Sequence, residues 1–172
     1  MKNSILRGGL LLSLAVFLAA SPLWAQYNEI LRVSSGFKTA VSAIAVSADG
    51  QAAALASSDF ELIAGDSNSA SDIFLYIRGA GLSRISNSST NSVVAADGAS
   101  TSPVISQDGQ VIAFVSSATN LVLNDSNGVA DIFVYDRGSG EVTRASVRSD
   151  GTQANGASFA PAISADGRFV AF

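Results

Sequence analysis

The sequence predicts an all-β chain built from repeated four-stranded antiparallel sheets, and three observations carry that prediction. The chain repeats itself: laid over 106–137 without gaps, residues 47–78 are identical at sixteen of the thirty-two pairs, and self-similarity at a fixed period marks a repeat architecture. Each copy contains runs with a period of two separated by Asp-Gly or glycine turns. Helical spacing is not sustained beyond the first two dozen residues.

The elements follow in order. In the second copy, "SPVIS" leads through Gln107-Asp108-Gly109 into "QVIAFVSS". Aspartate before glycine supplies the positive φ of a tight hairpin, so two antiparallel strands are expected here. A loop over Ser117 to Ala130 precedes "DIFVYDR", in which Ile132 and Val134 alternate with Phe133 and Tyr135. With both faces largely apolar, this third strand should lie between layers. Gly138-Ser139-Gly140 turns the chain into "EVTRASV", the fourth strand. The first copy repeats the order with "SADGQ", "DIFLYIR" and "GLSRIS", and a third opens at Ser164 with "SADGRFVAF".

Four-stranded sheets at this period are the blades of a β-propeller. The expected organisation is a blade over about 40–86, another over about 102–148, and the opening hairpin of a third over about 160–172. "EILRVS" from Glu29 matches the fourth strands, so about 29–34 reads as the closing strand of a further blade, and the chain as part of a longer, incomplete ring. The two blades should pack through Ile73, Phe74, Phe114, Ile132 and Phe133.

The segments "SPVISQDGQVIAF", "APAISADGRFVAF" and "DIFVYDRGSGEVTRAS" resemble the WD-like propeller repeat of the TolB type, whose units carry a proline, then Ser-x-Asp-Gly, then an apolar strand ending Ala-Phe. The resemblance runs from about Glu29 to Phe172. The first copy departs from it, with Ile44 in place of the proline and Leu55 in place of the phenylalanine. The resemblance implies a propeller, and the family contains both binding modules and propeller portions of larger hydrolases.

Lys2 and Arg7 precede an apolar run from Leu10 to Ala20 and the small residues of "SPLWAQ", the pattern of a secretory signal peptide over residues 1–25. The run is too short for a comfortable membrane span. Cleavage is expected after Ala25, with Ala19-Ala20-Ser21 as the alternative, and the protein is expected in the periplasm, at the cell surface or outside the cell. The formal charge is −4, and losing Lys2 and Arg7 makes the remainder more acidic. The arginines are scattered, so no basic stripe is available to a polyanion and nucleic acid is an unexpected partner.

The chain has no cysteine and no histidine. Disulfides, thiol catalysis and Ser-His-Asp triads therefore cannot be assembled from it, and zinc sites lose their usual ligands. The Asp-Gly pairs at Asp49, Asp108 and Asp166 are accounted for by turn chemistry. Phe74, Tyr76, Phe133 and Tyr135 read as core in preference to an aromatic ligand platform. Arg32, Arg84 and Arg144 read as pairing partners at a blade rim in preference to anion binders.

One pattern invites chemistry. "DSNSASD" places Asp66, Asn68 and Asp72 at the spacing at which "DSNGVAD" places Asp125, Asn127 and Asp131. Oxygen donors at alternate loop positions with a later carboxylate suit calcium, although the spacing is not that of an EF-hand. Asx turns shaping the loop are the plainer alternative.

Two functions follow as expectations. The first is an exported, non-catalytic propeller that binds a protein or glycan through the long loops of one face, Ser117 to Ala130 and Arg148 to Ala160. The alternative is the propeller portion of a larger hydrolase or peptidase with its catalytic domain beyond residue 172.

Overall fold

The computed structural model of the chain describes residues 41–64 and 66–172; the expected signal peptide and closing strand lie outside them. The described residues contain strands and no helix, so none of their elements is a helix long and apolar enough to cross a membrane.

The first sheet runs β1 (Val41–Val46), β2 (Ala52–Ser57), β3 (Asp72–Ile77) and β4 (Gly81–Arg84) in sequence order, every neighbour antiparallel. A short hairpin follows, β5 (Asn87–Ser88) and β6 (Asn91–Ala95). The second sheet repeats the first as β7 (Ser100–Ile105), β8 (Val111–Ser116), β9 (Asp131–Asp136) and β10 (Glu141–Arg144). β11 (Ala162–Ile163) and β12 (Val170–Ala171) form a last hairpin. Pro103 breaks no ladder, because the β7–β8 register shifts between Thr101 and Val104, where a proline without an N–H is tolerated.

The two sheets pack face to face through one core. β2 presents Ala52, Ala54 and Ala56 on that face, and their small side chains leave space for Phe114 and Phe133 of the second sheet. These rings, directly paired across β8 and β9, stack with centroids 6.0 Å apart at 27°. Ile73, Leu75, Ile112 and Leu121 complete the buried layer. Fully burying side chains of this size contributes about 1.5–3 kcal/mol each.

Strand alternation corrects two of the packing expectations. Phe74, next to Ile73, points to the opposite face of its sheet and packs with Leu55, Ile44 and Leu82. Ile132 is buried, on the face of β9 opposite Phe133. A blade thus offers its phenylalanines to the preceding neighbour and its Ile73-type positions to the next.

Successive antiparallel four-stranded sheets stacked in this way are blades of a partial β-propeller. The β1, β7 and β11 strands follow one another at one end of the stack, and the turns after them are joined. Ala48 N–H donates to Gln107 O at 2.9 Å, and Gln107 N–H donates to Ala165 O at 2.9 Å.

Candidate functional site

The repeated Ser-x-Asp-Gly turns are built identically. Ser47, Ser106 and Ser164 each donate the hydroxyl to the aspartate two residues on, Asp49, Asp108 and Asp166, at 2.6 Å. The same carboxylates accept the N–H of Gln51, Gln110 and Arg168. These serine and backbone bonds hold all three carboxyls below the usual aspartate range, because hydrogen bonds to the ionised form favour it. Gly109 and Gly167 have φ of 70° and close approaches: a Cβ on Gly109 would lie 2.8 Å from the Ala52 Cβ, and one on Gly167 would lie 2.8 Å from a Val111 methyl. The turn serines hydrogen-bond to carboxylates, with no histidine in the chain to act as base.

The two Asp-Asn-Asp loops are the more elaborate constellation. β3 begins at Asp72 and β9 at Asp131, and both side chains are fully buried. Ser86 Oγ donates to Asp72 Oδ1 at 2.6 Å while accepting the Ile73 N–H at 3.0 Å. Ser146 does the same for Asp131 at 2.6 Å and Ile132 at 3.1 Å. The start of the third strand is thereby fastened to the residues after the fourth. Asn68 Nδ2 donates to Asp72 Oδ2 at 3.3 Å and to Ala96 O at 2.7 Å. Asn127 Nδ2 donates to Asp131 Oδ2 at 2.9 Å and to Ala154 O at 3.0 Å. Each asparagine therefore ties its loop to the segment leading into the next blade. Its Oδ1 caps the loop by accepting the N–H of Ala70 or Val129, an Asx turn.

The second cluster has two further members. Gln153 Nε2 donates to Asp125 Oδ1 at 2.7 Å and to Asp131 Oδ2 at 3.3 Å. Arg144 Nη1 lies 3.3 Å from Asp125 Oδ1 and 3.9 Å from Asp131 Oδ2, an ion-pair contact without hydrogen-bond alignment. In the first cluster the residue before the accepting carbonyl is Ala95, where the second has Gln153. Asp66 Oδ2 is buried there without a hydrogen-bond partner. Asp72 is pushed up to about 6, chiefly by burial and further by the Asp66 charge, against the opposing effects of Ser86, Arg84 and Asn68.

The six residues singled out from the sequence thus come together as two triads, each a hydrogen-bonded clasp. The asparagines turn their N–H groups, and not their oxygens, toward the carboxylates. Calcium in the second clasp would have to displace Arg144 and Gln153 and turn Asn127 over. Among the described residues no three histidine, cysteine or acidic side chains are grouped to hold a metal. Arg84 and Arg144 are pairing residues, Arg84 buried and Arg144 half-buried against its loop, instead of sitting at an exposed rim. The sequence reading missed Ser86, Ser146 and Gln153. The serines had a visible signal, since both follow the recurrent arginine of the fourth strand, in "SRIS" and "TRAS".

No family model matches the chain, and no curated protein matches it. Among solved structures it is similar to the tricorn protease, at 20% identity and a TM-score of 0.47, over 77% of this chain and 11% of that one. It is also similar to TolB from Acinetobacter baumannii, at 22% identity and a TM-score of 0.43, over 75% of this chain and 25% of that one. The chain thus spans a small part of either protein.

Proposed function

We propose that this chain is a TolB-type, non-catalytic propeller module, exported by its N-terminal segment, that presents the long loops of one face to a protein or glycan. The observation that carries this reading is the clasp. Both repeated polar triads hold loops in place, Asn68 to Ala96 and Asn127 to Ala154. Rigid loops lower the ordering cost of binding.

The loops so held expose apolar side chains: Phe60 is 59% exposed and Leu123 71%. Exposed large apolar groups on one set of loops favour a protein partner. The acidic balance of the chain favours a basic or neutral partner over a polyanion. Calcium, if bound, belongs to the same loops and orders them.

The test is affinity capture from an extracytoplasmic extract of the source cell with the wild-type chain and a Phe60→Ser, Leu123→Ser variant. A partner retained by the first and lost by the second is expected. Equal retention by both would remove the loop face from the reading, and hydrolytic activity of the purified chain abolished by a single substitution would replace it with an enzyme.

A further inference from the structure

Between the two blades lies a cleft of about 690 Å³, within the range of small-ligand sites. Its origin is geometric. Blades fanning from a common axis leave a wedge that widens outward, and bulky side chains can fill it. Here one wall is the β5–β6 hairpin, whose Ser89, Asn91 and Ser92 are short and polar; the other is β9 and β10, through Tyr135, Glu141 and Val142. The connector after the second blade keeps the equivalent pairing as a single bridge, Val147 to Gln153 in place of Asn87 to Ala95. The cleft is therefore walled by the more fully paired of two equivalent connectors, and loops that vary between repeats are where repeat proteins place binding groups.

The lining has a definite chemistry. Tyr135 and Val142 are direct cross-strand partners and both border the inter-blade core, which gives the cleft an apolar floor with one aromatic face. Around it, the Tyr135 hydroxyl, the Glu141 carboxylate, the Ser89 and Ser92 hydroxyls and the Asn91 amide N–H₂ make no hydrogen bond to protein among the described residues. Ser89, Asn91, Ser92 and Glu141 are exposed. Donors and acceptors thus surround an apolar patch. Two charged residues line the cleft: Arg84 is buried and donates to Asn87 Oδ1 and Val93 O, whereas Glu141 is exposed, so the carboxylate is the charge that a ligand in the cleft meets and it disfavours an anion.

We infer that this inter-blade cleft is a binding site for a neutral sugar of one or two rings, its C–H face on Tyr135 and Val142 and its hydroxyls on Ser92, Asn91 and Glu141. The site is separate from the loop face proposed for a partner, so either can fail without the other.

The experiment is calorimetric titration of the whole chain with cellobiose, N,N′-diacetylchitobiose, lactose and 3′-sialyllactose to about 20 mM, a range that resolves a Kd near 1 mM. At least one neutral disaccharide should bind, and 3′-sialyllactose should bind several-fold more weakly than lactose. Ser92→Trp, which fills the cleft from an exposed position on β6, should weaken binding at least tenfold with an unchanged circular-dichroism spectrum. Glu141→Gln, a milder second variant, should weaken it several-fold. No heat from any of the three neutral sugars, or binding unchanged in both variants, would overturn the proposal.

Discussion

The two clasps are copies of one motif, yet they solve the same electrostatic problem differently. Both bury an aspartate at the start of a third strand and give it a serine hydroxyl at 2.6 Å. In the second, Gln153 and Arg144 supply a donor and a positive charge to both acids. In the first, Ala95 stands where Gln153 would, Asp66 Oδ2 lacks a hydrogen bond, and Asp72 holds its proton up to about 6. The difference shows that a buried carboxylate in a repeat can be given more donors or fewer, with the backbone path unchanged.

Removing the acid should separate the two most sharply. Asp131→Ala strips Ser146, Asn127 and Gln153 of an acceptor and leaves Arg144 with a weaker counter-charge, at an expected cost of about 3–5 kcal/mol. Asp72→Ala should cost less, about 1–3 kcal/mol, the scale of an unmade buried hydrogen bond. Urea unfolding of both variants at pH 7 checks the order, and equal losses would erase the distinction between the clasps.

The pH dependence tests its cause. A folded-state pKa near 6 against an unfolded value near 3.9 means that the folded chain binds the extra proton. The contribution of Asp72 to stability is therefore full below about pH 4 and is lost as pH rises through about 6, by roughly 3 kcal/mol in all. Asp72→Asn should flatten this part of the stability curve and gain relative to wild type at pH 7, whereas Asp131→Asn should lose there. The turn aspartates act in the other direction: Asp49, Asp108 and Asp166, with lowered pKa values, lend stability above their ordinary range that fades as pH falls. Melting curves from pH 3 to 8 would show both slopes.

Calcium offers a third contrast. With Arg144 between Asp125 and Asp131, calcium should move the wild-type melting midpoint very little, and Arg144→Ala should create a response that a further Asp125→Ala change removes. A strong response in the wild-type chain, lost on Asp125→Ala alone, would return the loop to the role of a cation site. The smallest effect is expected from Ala95→Gln, which should supply the first clasp with its missing donor, lower the Asp72 pKa and add up to about 1 kcal/mol. A carboxyl titration followed by NMR reads the pKa directly.

The sheets were legible in the sequence because their causes are local. Asp-Gly turns and period-two alternation are written within a few residues, and the repeat shows them twice. The Asp-Asn-Asp spacing was legible as a constellation for the same reason. Its meaning was not, because the partners that decide it lie 14 to 28 positions away: Ser86 from Asp72, Ala96 from Asn68, Gln153 from Asp125. The direction of Asn127 Nδ2 is set by Ala154 O, a contact that exists once the next connector is in place. The β5–β6 hairpin escaped notice since "NSSTNSVVAADG" has no glycine or proline at its tip and reads as loop.

The bonds linking the Asp-Gly turns, Ala48 to Gln107 and Gln107 to Ala165, have an evolutionary corollary. Gln107 is acceptor toward one neighbour and donor toward the other, so a single unit carries both halves of its own joint. Duplicating or deleting one whole unit then leaves each remaining junction chemically intact, while a partial duplication would orphan one N–H and one C=O. Growth of such a chain is quantised in complete repeats, and coupling energy passes between nearest neighbours, as in other repeat arrays.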